Sequence, residues 1–454
     1  MTTAATTRGA ALDEVRCELR DANDEATPWR VRGVTLTEGL STLYEATLDL
    51  ATQEGDTPDT LVGQRVRLVL TRDRWVSPPH RRVVCGLVRR AEDLGATPSD
   101  RLARAHVVPE LWLLSQRFGS EIYQNVNAVE VVQRVLQRAG LYAGRLALPE
   151  GTYPTREYCV QYRESELDFV RRLLEHEGIG FCFDDDDGAG ESLVLFDGAR
   201  GLRALATMDG GPVPVAGDEA ETASVECFRR FDCVGEVVPT GVVLRDFDFT
   251  RPDASVDMTC ARPRVEDAEG HTPRIPRGAA DRVVYDHDPE YTLQGYRSGA
   301  YTKHDAEALA RVQRTRLQWR ARTGRGRGTV ITCAPGRVFT LGNHLRDDMN
   351  DVPLLATRVE HVYAAPDELR DEALGERPSA APRYHNVVET VAVDPERATW
   401  RPVGRTYLFG VDWRGRTAGF GNGCFGAFTS LLVVVGQLDG GVEVVLDVLD
   451  LGGE

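Results

Sequence analysis

Lysine is almost missing from this chain: Lys303 is the only one, so its basic charge is carried by arginine. The 454 residues hold 54 basic against 70 acidic side chains, a formal net charge of −16. An acidic chain of this kind excludes broad electrostatic binding to nucleic acid and polybasic anchoring to anionic lipid. Long apolar runs are missing too. The longest, Leu431–Val435, is far too short to cross a bilayer, and the start, Met1 to Arg8, has no apolar core of a secretory leader. The expectation is synthesis in the cytosol without the general secretory route. The nine cysteines are scattered, and no two stand at Cys-x-x-Cys spacing, so neither a disulfide framework nor a zinc knuckle is indicated.

Chemistry-bearing motifs are equally scarce. Gly421, Gly423 and Gly426 make a Gly-x-Gly-x-x-Gly, but the β-branched run that follows favours a strand where a dinucleotide site needs a helix. Asp184 to Asp187 lack the alternate spacing of a calcium loop and read as a solvated hairpin tip. Asp286-His287-Asp288 has no second histidine group nearby and reads as a surface loop before Pro289. There is no Gly-x-Ser-x-Gly elbow. The arginines 311, 314, 316, 320, 322, 325 and 327 have Trp319 as their one aromatic companion and read as a solvated helix face or a salt-bridged contact. No catalytic, cofactor-binding or metal-ligating residue is therefore expected, and no enzymatic activity.

The patterning that is present describes a scaffold. From Leu43 to Leu50 the apolar period is two, which puts Tyr44, Ala46, Leu48 and Leu50 on one face. Arg65–Leu70 alternates as well, and Arg82–Arg89 is a strand with Gly86 at a bulge or a close backbone approach. Asn127 with Glu130, and Ser165 with Asp168, are helix starts whose apolar stripes stop at Gly140 and Gly178. A hairpin follows, from Ile179–Phe183 into Leu193–Phe196. Strands are expected again over 237–249, 329–332, 338–341 and 359–363, with a helix at about 305–322 and a linker over 367–382. The fold class is α+β and β-rich.

One segment narrows the reading. Tyr158-Cys159-Val160-Gln161-Tyr162-Arg163-Glu164-Ser165-Glu166-Leu167-Asp168-Phe169, running on to Gly178-Ile179-Gly180-Phe181, resembles the signature of the VgrG spike proteins, with Glu166 in the usual Asp place. Leu111-Trp112-Leu113-Leu114, Ile122-Tyr123-Gln124-Asn125, Leu244 to Pro252, Asn386 and Trp400-Arg401-Pro402 are similar to further family stretches in the same order.

The resemblance implies two β-barrel domains with an inserted α/β part, as in phage tail hubs. It divides the chain into a first barrel (1–110), an α/β insert (111–200), a second barrel with an extended excursion (201–365), a linker and hub-closing segment (366–402) and a divergent glycine-rich tail (403–454). It implies a homotrimer at the tip of a type VI secretion machine, seated on a hexameric tube protein and joined to a spike and effectors. The tail resembles neither the family's OB-fold nor its β-helix needle, so the form implied lacks the needle: either the gene is truncated or its reading frame has shifted, or another chain supplies the needle. A phage or phage-tail-like baseplate hub, or an effector adaptor acting through 403–454, are the rival readings.

Overall fold

The computed structural model describes residues 15–53, 55–72, 80–185, 190–198, 202–216, 226–245, 282–287, 312–365 and 384–392. The expected linker, the tail, the glycine motif and most of the excursion lie outside them. The first strands are β1 (Val15–Asp21), β2 (Arg30–Gly39), β3 (Glu45–Thr52), β4 (Arg65–Arg72), β5 (His80–Ala96) and β6 (Arg101–Val108). A 3-10 turn, Glu110–Gln116, leads into β7 (Phe118–Val126), α1 (Ala128–Ala139), β8 (Leu146–Ala147), β9 (Arg156–Ser165), α2 (Glu166–Glu177), β10 (Gly180–Asp184) and β11 (Ser192–Phe196). Two-residue strands β12 (Arg203–Ala204) and β13 (Val213–Pro214) precede β14 (Phe228–Gly235), β15 (Gly241–Arg245) and β16 (Val283–His287). The last are β17 (Arg322–Gly328), β18 (Arg337–Phe339), β19 (Leu341–Gly342), β20 (Leu354–Ala364) and β21 (Tyr384–Ala392).

One 12-stranded sheet runs through both ends of this order, as β1-β4-β5-β6-β3-β2-β20-β21-β17-β14, with β18 joining β20 to β12. Its two halves meet where β2 pairs antiparallel with β20, Gly33 to Gly39 against Ala364 to Arg358. The first half wraps a core of Leu36, Tyr44, Leu48, Leu50, Leu68 and Leu70. Ala46, Leu48 and Leu50 on β3 and Tyr44 just before it are all buried as expected, because a period of two in an antiparallel strand sends alternate side chains to one side. The second half wraps Phe228, Phe231, Phe339, Leu341, Val359 and Val388.

Both helices start and stop where their caps place them. The Asn127 side chain accepts from the Glu130 N–H while Glu130 returns a bond to the Asn127 N–H, and Ser165 accepts from the Asp168 N–H. Each ends on a left-handed glycine, Gly140 and Gly178. The helices share a third core with Leu111, Leu114, Phe169, Leu173 and Phe181.

Four expectations give way. Residues 329–332 form a turn and not a strand, because Val330 and Ile331 are drawn into different cores. Of the helix expected at 305–322, residues 312–318 are helical; a 3-10 turn and then β17 begin before Arg322 is passed, and 305–311 lie outside the described residues. The arginine face is accordingly split, with Arg325 and Arg327 exposed on a strand. There Gly324, Gly326 and Gly328 face inward, since a Cβ at Gly324 would stand 2.7 Å from the Phe231 ring and one at Gly326 2.8 Å from Phe228. Asp286 and His287 belong to β16, paired in parallel with β15, and not to a loop.

Candidate functional site: the buried ionic junction

Strand β5 carries Arg82 into the seam between the sheet halves. Its guanidinium donates to the Glu38 carboxylate of β2 and to the Cys333 carbonyl, and it lies 2.6 Å from His361 Nε2 on β20. On the other side of the ring, His361 Nδ1 is 2.6 Å from the Tyr384 hydroxyl on β21. Arg82 can only donate, so Nε2 accepts and Nδ1 carries the proton. All four side chains are buried. Burial pushes the Glu38 carboxyl upward, but the Arg82 guanidinium beside it outweighs that and holds it below the usual carboxylate range. Burial and the neighbouring Arg82 charge keep His361 neutral by lowering it. One cation and one anion therefore cancel inside a closed polar cluster. Alongside, the fully buried Asn386 donates to the Val330 carbonyl at 2.6 Å.

A second link joins the same halves. Glu226 faces Arg72 of β4 at 3.5 Å and His80 of β5 at 3.2 Å, and accepts from the Ile331 N–H at 3.0 Å. The pocket near it, lined by Thr207, Met208, Pro212 and Val213, thus meets an acid already engaged.

The signature segment is spent on local structure. Gln161 is buried and donates to the Glu164 carbonyl at 3.1 Å, Ser165 caps α2, and Glu164 pairs with Arg172 at 2.6 Å. Glu166 sits buried between Arg117 at 2.7 Å and Arg138 at 2.8 Å. Leu167, Phe169 and Leu173 form the buried face of α2. In front of them β7 and β9 form a separate two-stranded sheet whose outward face leaves Ile122, Tyr158 and Val160 exposed, with Ile122 opposite Val160.

Two of the four acids read as a hairpin tip are in fact enclosed. Asp184 is buried between Arg203 and Arg337, 2.9 Å from the latter, and Asp185 is buried beside Cys85. The chain-wide charge pattern hid this because β10 continues to Asp184, inside the fold. The partners of Arg82 were invisible in sequence for another reason: 44 residues separate it from Glu38 and 279 from His361. Among the described residues no group of three His, Cys, Asp or Glu could hold a metal ion, and the seven cysteines there are unpaired.

A sheet bent around two cores, closed by an ionic seam and carrying a helical insert, defines a tail-hub type of fold. Solved structures share it. One is an E. coli protein, c3393, described as a component of the type VI secretion system with structural similarity to T4 bacteriophage tail proteins gp27 and gp5. It matches with TM-score 0.54 at 16% identity, over 85% of this chain and 79% of that one. The Neisseria meningitidis MC58 tail protein matches with TM-score 0.52 at 9% identity, over 84% of this chain and 97% of that one.

Residues 37–366 match the model of the phage tail baseplate hub family, and the chain belongs to that family. Among curated proteins it is similar to the type VI secretion system spike protein VgrG1a of Pseudomonas aeruginosa, 29% identical over 317 residues, which is 69% of this chain and 44% of that protein. The match thus spans less than half the length of such relatives.

Proposed function

We propose that this chain is the hub of a type VI secretion tip, assembling as a homotrimer that docks on a hexameric tube and connects it to a spike and its effectors. The observation that carries the reading is the sheet bent around two cores. Two such halves per chain, in three chains around an axis, present six sites to a sixfold tube. Membership of the baseplate hub family and the likeness to spike proteins support the same reading. The outward face of β7 and β9 offers an apolar surface for association between copies. In this role the chain performs no catalysis. It is made in the cytosol and leaves, if it leaves, with the machine it caps.

The test is to mix the purified chain with preassembled tube protein and image tube ends by electron microscopy. Density at one end of the tube is expected. Failure to bind at any concentration contradicts the reading. The name of the family favours a second reading, a phage tail hub, and capping of a phage tube protein but not of a secretion tube would select it.

A further inference from the structure

Glu191, just before β11, is buried, and among the described residues no cation pairs with its carboxylate. Its Oε1 accepts from the Glu110 N–H at 2.9 Å and from the Tyr142 hydroxyl, which itself accepts from the Leu111 N–H at 2.9 Å. Its Oε2 is 2.6 Å from the Tyr44 hydroxyl, and that same hydroxyl is in hydrogen-bond contact with the Cys85 carbonyl. Tyr44 has one proton for two acceptors. Were Glu191 ionised, either Oε2 or the Cys85 carbonyl would face the phenol oxygen with no hydrogen between them. With a proton on Oε2 both contacts close: Oε2–H donates to the Tyr44 oxygen, and Tyr44 donates to Cys85.

The surroundings argue the same way. Asp185, just after β10, is also buried and has one carboxylate oxygen without a hydrogen-bond partner among the described residues. Arg145 binds the Glu191 backbone carbonyl and the Glu110 carboxylate, and Arg65 pairs with Glu110, so neither neutralises Glu191. Further groups face the pair from other elements. They are Cys85 on β5, itself faced by Arg67 of β4, and Glu38 and Arg82 in the seam, together with Asp184, which its own arginines already engage. Gly86 leaves room for the arrangement, since a Cβ there would stand 2.6 Å from the Tyr44 hydroxyl.

We propose that Glu191 holds a proton in the folded chain, and that this proton is a pH-sensitive fastening between the first sheet half, through Tyr44, and the helical insert, through Tyr142. Ionisation places a negative charge beside Asp185 without a counter-ion and opens the Tyr44 contact. Burial, reinforced for Glu191 by the nearby Asp185 charge, pushes Glu191 up to about 8, and burial pushes Asp185 up to about 7. An acid raised in the folded state loses its contribution as pH climbs from its unfolded range to its folded value, then no further. Each such group lowers the folding equilibrium constant up to ~10-fold per pH unit across that window.

The test is urea unfolding from pH about 5 to about 9 on the wild type, Glu191→Gln and Asp185→Asn. It is paired with infrared spectra of the carbonyl band that only a protonated carboxylic acid shows. Glu191→Gln keeps the neutral hydrogen-bonding shape and is expected to fold, to lose one proton's worth of pH slope, and to lose a band that Asp185→Asn retains. The proposal is overturned if Glu191→Gln keeps the full wild-type slope. It is equally overturned if the wild type at neutral pH shows no protonated-acid band outside that of Asp185, a reading that stands even should the variant fail to fold.

Discussion

Val330 and Ile331 are consecutive residues, both fully buried, and they belong to two different cores: Val330 to the second sheet half, Ile331 to the first. The turn that holds them also supplies the Cys333 carbonyl to Arg82 and the Ile331 N–H to Glu226. Apolar and ionic links therefore converge on one short segment between the halves.

Shortening Ile331 tests that convergence. Ile331→Ala is expected to cost ~2–5 kcal/mol, the range for a buried large-to-small change. Because the segment ties both halves, urea curves read by tryptophan fluorescence and by circular dichroism should shift together. Separation into two transitions would show that the halves fold independently.

Arg82→Ala leaves Glu38 and His361 buried without their cation, and the expected loss is ~3–5 kcal/mol. Glu38, held below its ordinary range, stabilises the fold above its unfolded value of about 4.5 and loses that contribution as pH falls through its folded value. Glu38→Gln should therefore make the acid limb of the stability profile shallower, as measured by chemical denaturation at stepped pH. An unchanged acid limb would remove Glu38 from the account.

In α2, Leu173→Ala should cost ~2–5 kcal/mol and Gly178→Ala ~1–2 kcal/mol, the first by leaving a cavity and the second by forcing a left-handed backbone on a residue with a Cβ. A loss below ~1 kcal/mol for Leu173→Ala on denaturant titration would show its face to be exposed.

Strand β17 supplies a contrast between neighbours. Gly324→Ala drives a Cβ against Thr390 and Phe231 and is expected to cost ~1–3 kcal/mol, whereas Arg325→Ala, on the outward face, should stay within ~0.5 kcal/mol. Thermal unfolding of the two variants side by side decides it, and equal shifts would contradict the facing assigned to the strand.

The sequence disclosed whatever is written locally. Caps at Asn127 and Ser165, stops at Gly140 and Gly178, and the inward face of β3 each depend on residues a few positions apart. The strand nature of 322–328 was legible in principle, as alternation of arginine with glycine, but glycine carries no apolar signal and the arginines drew the reading toward a helix face. The ionic seam depends on residues 38, 82, 361 and 384, which only the folded sheet brings together. The Glu191 proton depends on two tyrosines, Tyr44 and Tyr142, that are likewise far from it in sequence. The signature segment, read as a mark of family, proves to be a strand-to-helix joint whose polar residues are consumed by capping and pairing.

As a hub, the chain should associate as three copies. Light scattering coupled to size exclusion, on the purified chain at several concentrations, measures it directly. The expected mass is three times 50.1 kDa. A monomer at every concentration would contradict it.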